Sequence, residues 1–173
     1  VKYLLSGDVQ IEIEWLVHEK ERYETNDSPD IDNILKPIID ALCGPDGLLI
    51  DDCQLQAVTS AWIDWTSTDH LLNFSIKFMP DEWVRKEDLV FVHLGDDLYF
   101  PMQGNMPPQF GAQLLNSVQK MIALKGELEA KTGDYYAASQ MLPIQRLFHR
   151  SKLTAFKIME ASTFRKKLGQ VSE

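Results

Sequence analysis

Aspartates at two places in the first third of the chain have the residue types and spacing of a metal-binding site. Asp30 and Asp32 stand just before a short apolar segment, and Asp51 and Asp52 follow that segment after a glycine-containing turn. Clustered carboxylates repel one another and normally persist together only around a cation. All-oxygen ligands favour Mg²⁺ or Mn²⁺ over zinc, and such an ion activates water and offsets charge on a phosphoryl group. The pattern therefore predicts divalent-metal phosphate chemistry.

The elements that must position these carboxylates can be predicted from hydrophobic periodicity. An amphipathic helix is predicted over Asp32–Cys43, and Pro37 requires that it begin close before that residue. Lys36 then lies one turn after Asp32 and can reach the same phosphate. Alternating residues predict strands over Val9–Val17, Gln54–Thr66 and Leu71–Phe78, the last pairing antiparallel with the second.

The plainer alternative assigns these aspartates no chemistry. Asp32 or Asn33 would cap the helix, and Asp30, Asp51 and Asp52 would be ordinary turn residues.

The combined pattern D-x-D-N-x-x-K-x-x-x-D-x-L, followed by a turn and D-D, resembles the RusA family of Holliday-junction resolvases over about residues 9–79. The resemblance implies that Asp30, Asp32 and Asp52 bind the catalytic Mg²⁺, or Mn²⁺, with Asp51 a further possible ligand. It implies that Lys36 takes part in cleavage. It also implies a homodimer that cuts branched DNA in recombination or repair.

Two departures from the family pattern keep other functions open. The strand and helix with which the family begins are not found before Val9, and Glu21, Glu24 and Asp27 stand where the family often has basic residues. A RusA-like binding module without catalysis, or a metal-dependent phosphoesterase for a smaller substrate, is the alternative.

Composition and charge narrow the class of protein. The 173 residues are 45% hydrophobic and carry a net charge of −9, which excludes a DNA-binding surface over the whole molecule. Residues 1–80 hold 15 acidic and 5 basic side chains, whereas residues 145–173 hold 2 and 7. No apolar stretch reaches membrane-spanning length. Cys43 and Cys53 are predicted to be buried free thiols in a reducing cytoplasm.

The predicted fold class is α+β, with a small mixed sheet, a packed helix and a C-terminal helical hairpin. Residues 1–80 form the RusA-like domain and residues 81–173 the extension, which serves dimerisation or DNA contact. In the extension we expect a β-hairpin at Leu89–Val92 and Leu98–Phe100. A helix follows from Pro108 to about Lys131.

The second helix of the extension is predicted to begin at Tyr135, to be renewed at Pro143 and to reach about Leu168. On it, Arg146, Arg150 and Lys157 would share one face. That face is either a DNA-binding arm or an ordinary solvated surface.

Overall fold

The structure is a computed structural model that describes residues 1–26, 30–141 and 146–170, with only the backbone described for Met141 and Gln170. The chain divides into two compact units, one made of Tyr3–Trp83 with Val1 and the other of Val84 onward with Lys2. Helices and strands occur in both units. The predicted α+β class is therefore confirmed.

The first unit is built on a three-stranded mixed sheet. Its elements are Tyr3–Leu5 (β1), Val9–His18 (β2), Glu19–Glu24 (α1), Ile31–Leu42 (α2), a 3₁₀ turn at Asp52–Gln54, Leu55–Trp65 (β3) and Leu71–Phe78 (β4). The strand order is β3-β2-β4. β2 and β3 are parallel, so α2 is the crossover between them.

The pairing predicted for β4 is wrong, because β4 pairs antiparallel with β2 rather than with β3. The parallel crossover through α2 places β3 on one side of β2, which leaves the other side for β4. The five residues from 66 to 70 can cross the roughly 10 Å that two strand spacings require. The central position of β2 agrees with the complete burial of Ile13.

Helix α2 covers part of one face of this sheet. Leu35, Ile38 and Leu42 pack on the core formed by alternate residues of β2, which are Val9, Ile11 and Ile13. Spacings of three and four residues place these side chains on one stripe of the helix. Pro37 lies inside the helix, beyond the predicted first turn. The ring of Pro37 is exposed. The residue destabilises the helix because its nitrogen cannot donate a backbone hydrogen bond.

The second unit has a four-stranded sheet of its own. Trp83–Arg85 (β5) lies at the boundary, and the unit continues with Leu89–Gly95 (β6), Leu98–Gln103 (β7), Pro108–Thr132 (α3), Tyr135–Met141 (α4), Phe148–His149 (β8), Ile158–Glu160 (β9) and Ala161–Gln170 (α5). The strand order is β8-β7-β6-β9. The predicted hairpin is confirmed in β6 and β7, and the predicted long helix in α3, which ends at Gly133 with φ 69°.

The prediction of one long final helix is wrong. Pro143 lies outside the described residues, and the chain from Arg146 to Glu160 forms β8, a 3₁₀ turn at Arg150–Lys152 and β9 before α5 begins. Tertiary packing explains the difference, because Phe148 is 2% exposed and meets the ring of Phe91 edge-on at 5.9 Å. Burial against the sheet outweighs the local helical preference of this segment.

Candidate functional site

The two carboxylates of the D-x-D pair lie at the N-terminal end of α2. Asp30 is the N-cap residue by its backbone, yet its side chain makes no capping hydrogen bond. Asp30 and Asp32 are both exposed. The alternative without metal chemistry placed the cap at Asp32 or Asn33, whereas the structure places it at Asp30. The Asp30 carboxylate nevertheless makes no capping hydrogen bond. The partial positive charge of a helix N-terminus favours anions here.

Lys36 lies one turn further along α2 and points to solvent. Its Nζ donates to Asp40 Oδ1 at 3.2 Å, with 78% of the lysine side chain exposed. An exposed i,i+4 pair of this kind contributes only about 0.3–0.5 kcal/mol. The ammonium group can therefore leave Asp40 for a phosphate at little cost.

The other end of α2 is fixed by a tight return of the chain. The backbone N–H groups of Leu48 and Leu49 donate to the carbonyl of Leu42 at 2.7 and 2.9 Å. Gly44 has φ 95°, which favours glycine. Leu49 and Ile50 are buried, and they hold the start of the Asp51–Asp52 segment against this end of the helix.

Gln54 anchors that segment, although the D-x-D and D-D motifs do not include it. The side chain is fully buried; its Oε1 accepts from the backbone N–H of Ile50 and Asp51, and its Nε2 donates to the carbonyls of Leu5 and Gly7 at 2.8 Å. The Asp51 carboxylate accepts from the backbone N–H of Cys53 at 3.0 Å. Asp51 and Gln54 thus form a capping box, and the D-x-x-Q spacing was the signal that could have revealed it.

Carboxylates from this end of α2 converge electrostatically on one thiol. Burial raises the pKa of Cys43 to about 11, and the negative charges of Asp52, Asp51 and Asp40 add to the increase while Lys36 opposes it. Neither cysteine forms a disulfide within the described residues, and the predicted burial is wrong because Cys43 is only half-buried and Cys53 is exposed. Cys53 lies in the 3₁₀ turn at Asp52–Gln54.

The structure does not bring Asp30, Asp32 and Asp52 together within one chain. Asp32 and Cys43 are eleven positions apart on one continuous helix and its cap, which corresponds to about 16 Å at 1.5 Å per residue. Asp52 lies at the Cys43 end. Shared ligation of Mg²⁺ needs carboxylates within about 5 Å, since each Mg–O distance is about 2.1 Å.

The predicted convergence on one point therefore fails in a single copy, because α2 separates the aspartates that it was expected to gather. Among residues 1–26, 30–141 and 146–170, no group of three or more His, Cys, Asp or Glu side chains could hold a metal ion. Within these described residues, one copy does not present the ligand group that the resemblance implies. Ligation by these aspartates stays a prediction.

The three basic residues proposed for DNA contact do not share a helix face, so that geometric prediction is wrong. Arg150 begins the 3₁₀ turn, and its guanidinium donates to the carbonyl of Leu153 at 3.4 Å. Lys157 lies in the turn before β9, where its carbonyl accepts from Phe91 N–H at 2.9 Å. Arg146 is exposed in an irregular segment before β8. Their contact with DNA stays a prediction.

Comparison with known protein families gives a match that covers most of the first unit. Residues 2–70 match the family model of endodeoxyribonuclease RusA. The matched range includes β1, α2 and both aspartate pairs. No curated protein and no solved structure matches the chain. Over the described part of the chain, no helix is long and apolar enough to cross a membrane. Over residues 2–70 the chain is therefore similar to the RusA family of endodeoxyribonucleases.

Proposed function

We propose that this protein is a divalent-metal-dependent endonuclease that cleaves branched DNA, such as Holliday junctions, as a homodimer in recombination or repair. The observation that carries the proposal is the state of the D-x-D pair within the matched family segment. Asp30 and Asp32 are exposed at a helix N-terminus, and Asp30 is left out of the capping role that its position offers. Mg²⁺ is the favoured ion and Mn²⁺ the alternative.

The chain's own groups support phosphate chemistry at this end of α2. The N–H groups of the first helical turn present partial positive charge to an anion. Lys36 follows on the same helix, and its exposed ammonium can neutralise charge on the attacked phosphate or on the leaving oxygen.

The distribution of charge supports the assignment of metal chemistry to residues 1–80 and of DNA binding to residues 145–173. Residues 1–80 are strongly acidic, whereas residues 145–173 carry the positive balance of the chain. We include Arg146, Arg150 and Lys157 in the proposal as phosphate contacts, which position DNA without reading its bases.

The experiment is a nicking assay on a synthetic four-way junction with and without Mg²⁺. Asp32→Asn and Asp52→Asn are each expected to reduce the rate by roughly 10²–10³-fold, as for loss of a group that stabilises transition-state charge. Asp69→Asn is the matched control, because Asp69 is an exposed carboxylate in the turn between β3 and β4. Full activity in both variants would exclude these aspartates from the site.

A second candidate function is a RusA-like binding module without catalysis. The separation of the aspartates within one copy favours it, since the residues that the structure describes hold no group of three such ligands. This candidate predicts that wild-type protein binds the junction in a gel-shift assay and never cuts it at any Mg²⁺ or Mn²⁺ concentration. The nuclease proposal predicts metal-dependent products.

A further inference from the structure

We infer that helix α3 carries a self-association seam, through which two copies of this chain join as an antiparallel coiled coil. The helix runs over Pro108–Thr132 in the second unit, outside the segment that matches the endonuclease family. The contact is therefore separate from any contact between RusA-like segments. Neither its residues nor its test depends on the proposed function.

The first observation is that α3 has two apolar stripes, of which only one faces the core. Leu115 and Val118 belong to the buried core of the second unit, and Ile122 packs against it. A second set of residues repeats at alternating spacings of four and three, which is the heptad pattern of a coiled coil. This set, called the seam here, consists of Phe110, Leu114, Ser117, Met121, Leu124 and Leu128. Five of its six residues are apolar.

The second observation is the exposure of the seam. Phe110, Leu114 and Leu124 are 56%, 38% and 47% exposed. Helix α4 packs against α3, and the ring of Tyr135 lies 4.0 Å from Nζ of Lys125, which flanks the seam. α4 therefore lies to one side and leaves these side chains open. From its first to its last residue the seam is about 27 Å long, and a continuous apolar stripe of this kind marks an interaction site more often than scattered exposed residues do.

The charges beside the seam identify its occupant as a second copy in antiparallel orientation. Lys120 and Glu127 are exposed, and they occupy the same flanking position in successive heptads. In the part of the chain that the structure describes, neither is in an ion pair. When Met121 lies opposite Leu124 of an antiparallel second copy, Lys120 of each copy faces Glu127 of the other. A parallel alignment would instead bring Lys120 near Lys125 of the second copy, which is repulsive.

The same alignment matches the two ends of α3. Phe110 is exposed in the first turn, and Tyr135 and Tyr136, which follow the last turn, are 51% and 77% exposed. Antiparallel pairing brings the start of one helix beside the end of the other, so the aromatic rings of the two copies approach each other at both ends. Because the contact is isologous, one two-fold axis generates both charge pairs and both aromatic contacts. A seam of this length is at the small end of specific interfaces, so we expect reversible association.

Charge reversal tests the pairing of Lys120 with Glu127. Sedimentation of the wild-type chain from about 1 µM to about 1 mM, a range that covers weak to moderate affinities, should show the mass of the assembly doubling. Lys120→Glu and Glu127→Lys each turn two attractive pairs into two repulsive ones, so each should raise the dissociation constant by roughly 10-fold. The double variant restores both pairs and should return to the wild-type value. Absence of this rescue, or tighter association in Lys120→Glu, would overturn the antiparallel pairing.

A substitution in the apolar seam tests the surface itself. Leu124→Glu should abolish the doubling of mass over the same concentrations. Ala123→Glu is the matched control, since Ala123 is an exposed neighbour on α3 that lies off the seam. Both variants should keep the wild-type melting temperature closely, because both side chains are in contact with water before the change. Equal association of the two variants would overturn the assignment of this surface, and if Leu124→Glu does not fold, the charge variants decide.

Disulfide trapping shows where and in which orientation the copies meet, without DNA or metal. Met121→Cys protein is mixed with Leu124→Cys protein, both in a background with Cys43→Ser and Cys53→Ser, and the mixture is oxidised. Because a disulfide forms only between closely spaced residues, the linked product should contain one copy of each variant. Preferential linkage of identical variants would indicate parallel helices and overturn the inference. Wild-type protein whose mass does not double by about 1 mM would overturn it as well, whether or not that protein cleaves DNA.

Discussion

The two ends of α2 carry the same kind of side chain in different physical situations. At the start, Asp30 occupies the N-cap position without using its carboxylate as a cap, and Asp32 is exposed. At the other end, Asp51 is committed to a capping box and the chain around it is held by the buried amide of Gln54. One end presents both carboxylates to solvent, whereas at the other end the carboxylate of Asp51 is bound into the fold.

This difference separates aspartates that one motif presents as equivalent. Asp51 has a structural task because it caps the 3₁₀ turn, whereas the alternative without metal chemistry made it an ordinary turn residue. Asp30 is also at an N-cap position, but its carboxylate makes no capping hydrogen bond. Asp52 is exposed and directly adjacent to the fixed Asp51, so its position is defined although its carboxylate faces solvent. Positional precision for Asp52 therefore comes from its neighbours.

The largest effect is expected from breaking the fixed end. Gln54→Leu removes four hydrogen bonds and leaves the backbone groups of Leu5, Gly7, Ile50 and Asp51 without this partner. Unsatisfied buried polar groups cost about 1–3 kcal/mol each before relaxation, so we expect the free energy of unfolding to fall by roughly 3 kcal/mol. Urea denaturation measures it.

The control for this prediction is the neighbouring glutamine. Gln56 is exposed, and its side-chain nitrogen donates to Asp8 at 2.7 Å. Gln56→Leu should change the free energy of unfolding by less than about 1 kcal/mol, as for most surface substitutions. Equal stability of the two variants would show that Gln54 does not anchor this end of α2.

A smaller effect is expected from the residue between the two ends. Lys36→Ala should reduce junction cleavage by roughly 10–100-fold, because one charge-stabilising contact to the phosphate is lost. The free energy of unfolding should fall by no more than about 0.5 kcal/mol, since only the exposed pair with Asp40 is removed. Single-turnover nicking and urea denaturation provide the two readings. Lys20→Ala, in exposed α1, is the control, and an equal loss of activity there would remove any special role of Lys36.

Local patterns could be predicted from the sequence where one element is decided by its own residues. The alternation in β2, the periodicity of α2 and the hairpin of β6 and β7 could all be predicted, and the turn residues of this hairpin, Asp96 and Asp97, both have positive φ. The positions of these elements relative to one another could not be predicted in the same way. The aspartates appeared close because a short helix and a turn separate them in sequence, whereas a helix keeps its ends about 15 Å apart.

The C-terminal unit shows the same limit. No local sequence pattern predicts that Phe148 and Ile158 belong to strands at the two edges of one sheet. Their pairing depends on β6 and β7, which lie more than 40 residues earlier. Gln54 was missed for the opposite reason. Its capping-box spacing is local, but its bonds to Leu5 and Gly7 become visible only when the chain is folded.

The smallest expected effect tests the separation of the two ends most directly. Asp52→Asn should lower the pKa of Cys43 from about 11 toward its ordinary value of 9.0, because a negative charge that opposes the thiolate is removed. The decrease should be partial, since burial is the larger cause. Asp32→Asn, at the far end of α2, should leave this pKa unchanged. Alkylation rates against pH in a Cys53→Ser background measure it.

The same titration has a consequence for stability. Because folding raises the pKa of Cys43 above its unfolded value, the thiol contributes stability that is fully present below pH 9.0 and is lost as the pH rises toward about 11. In Asp52→Asn the folded pKa is lower, so the loss should end at a lower pH and be smaller in total. Thermal melts between these pH values follow it. Equal shifts in the Asp32→Asn and Asp52→Asn proteins would mean that both carboxylates act on Cys43 from similar distances, and the two ends of α2 would then not be separated as described.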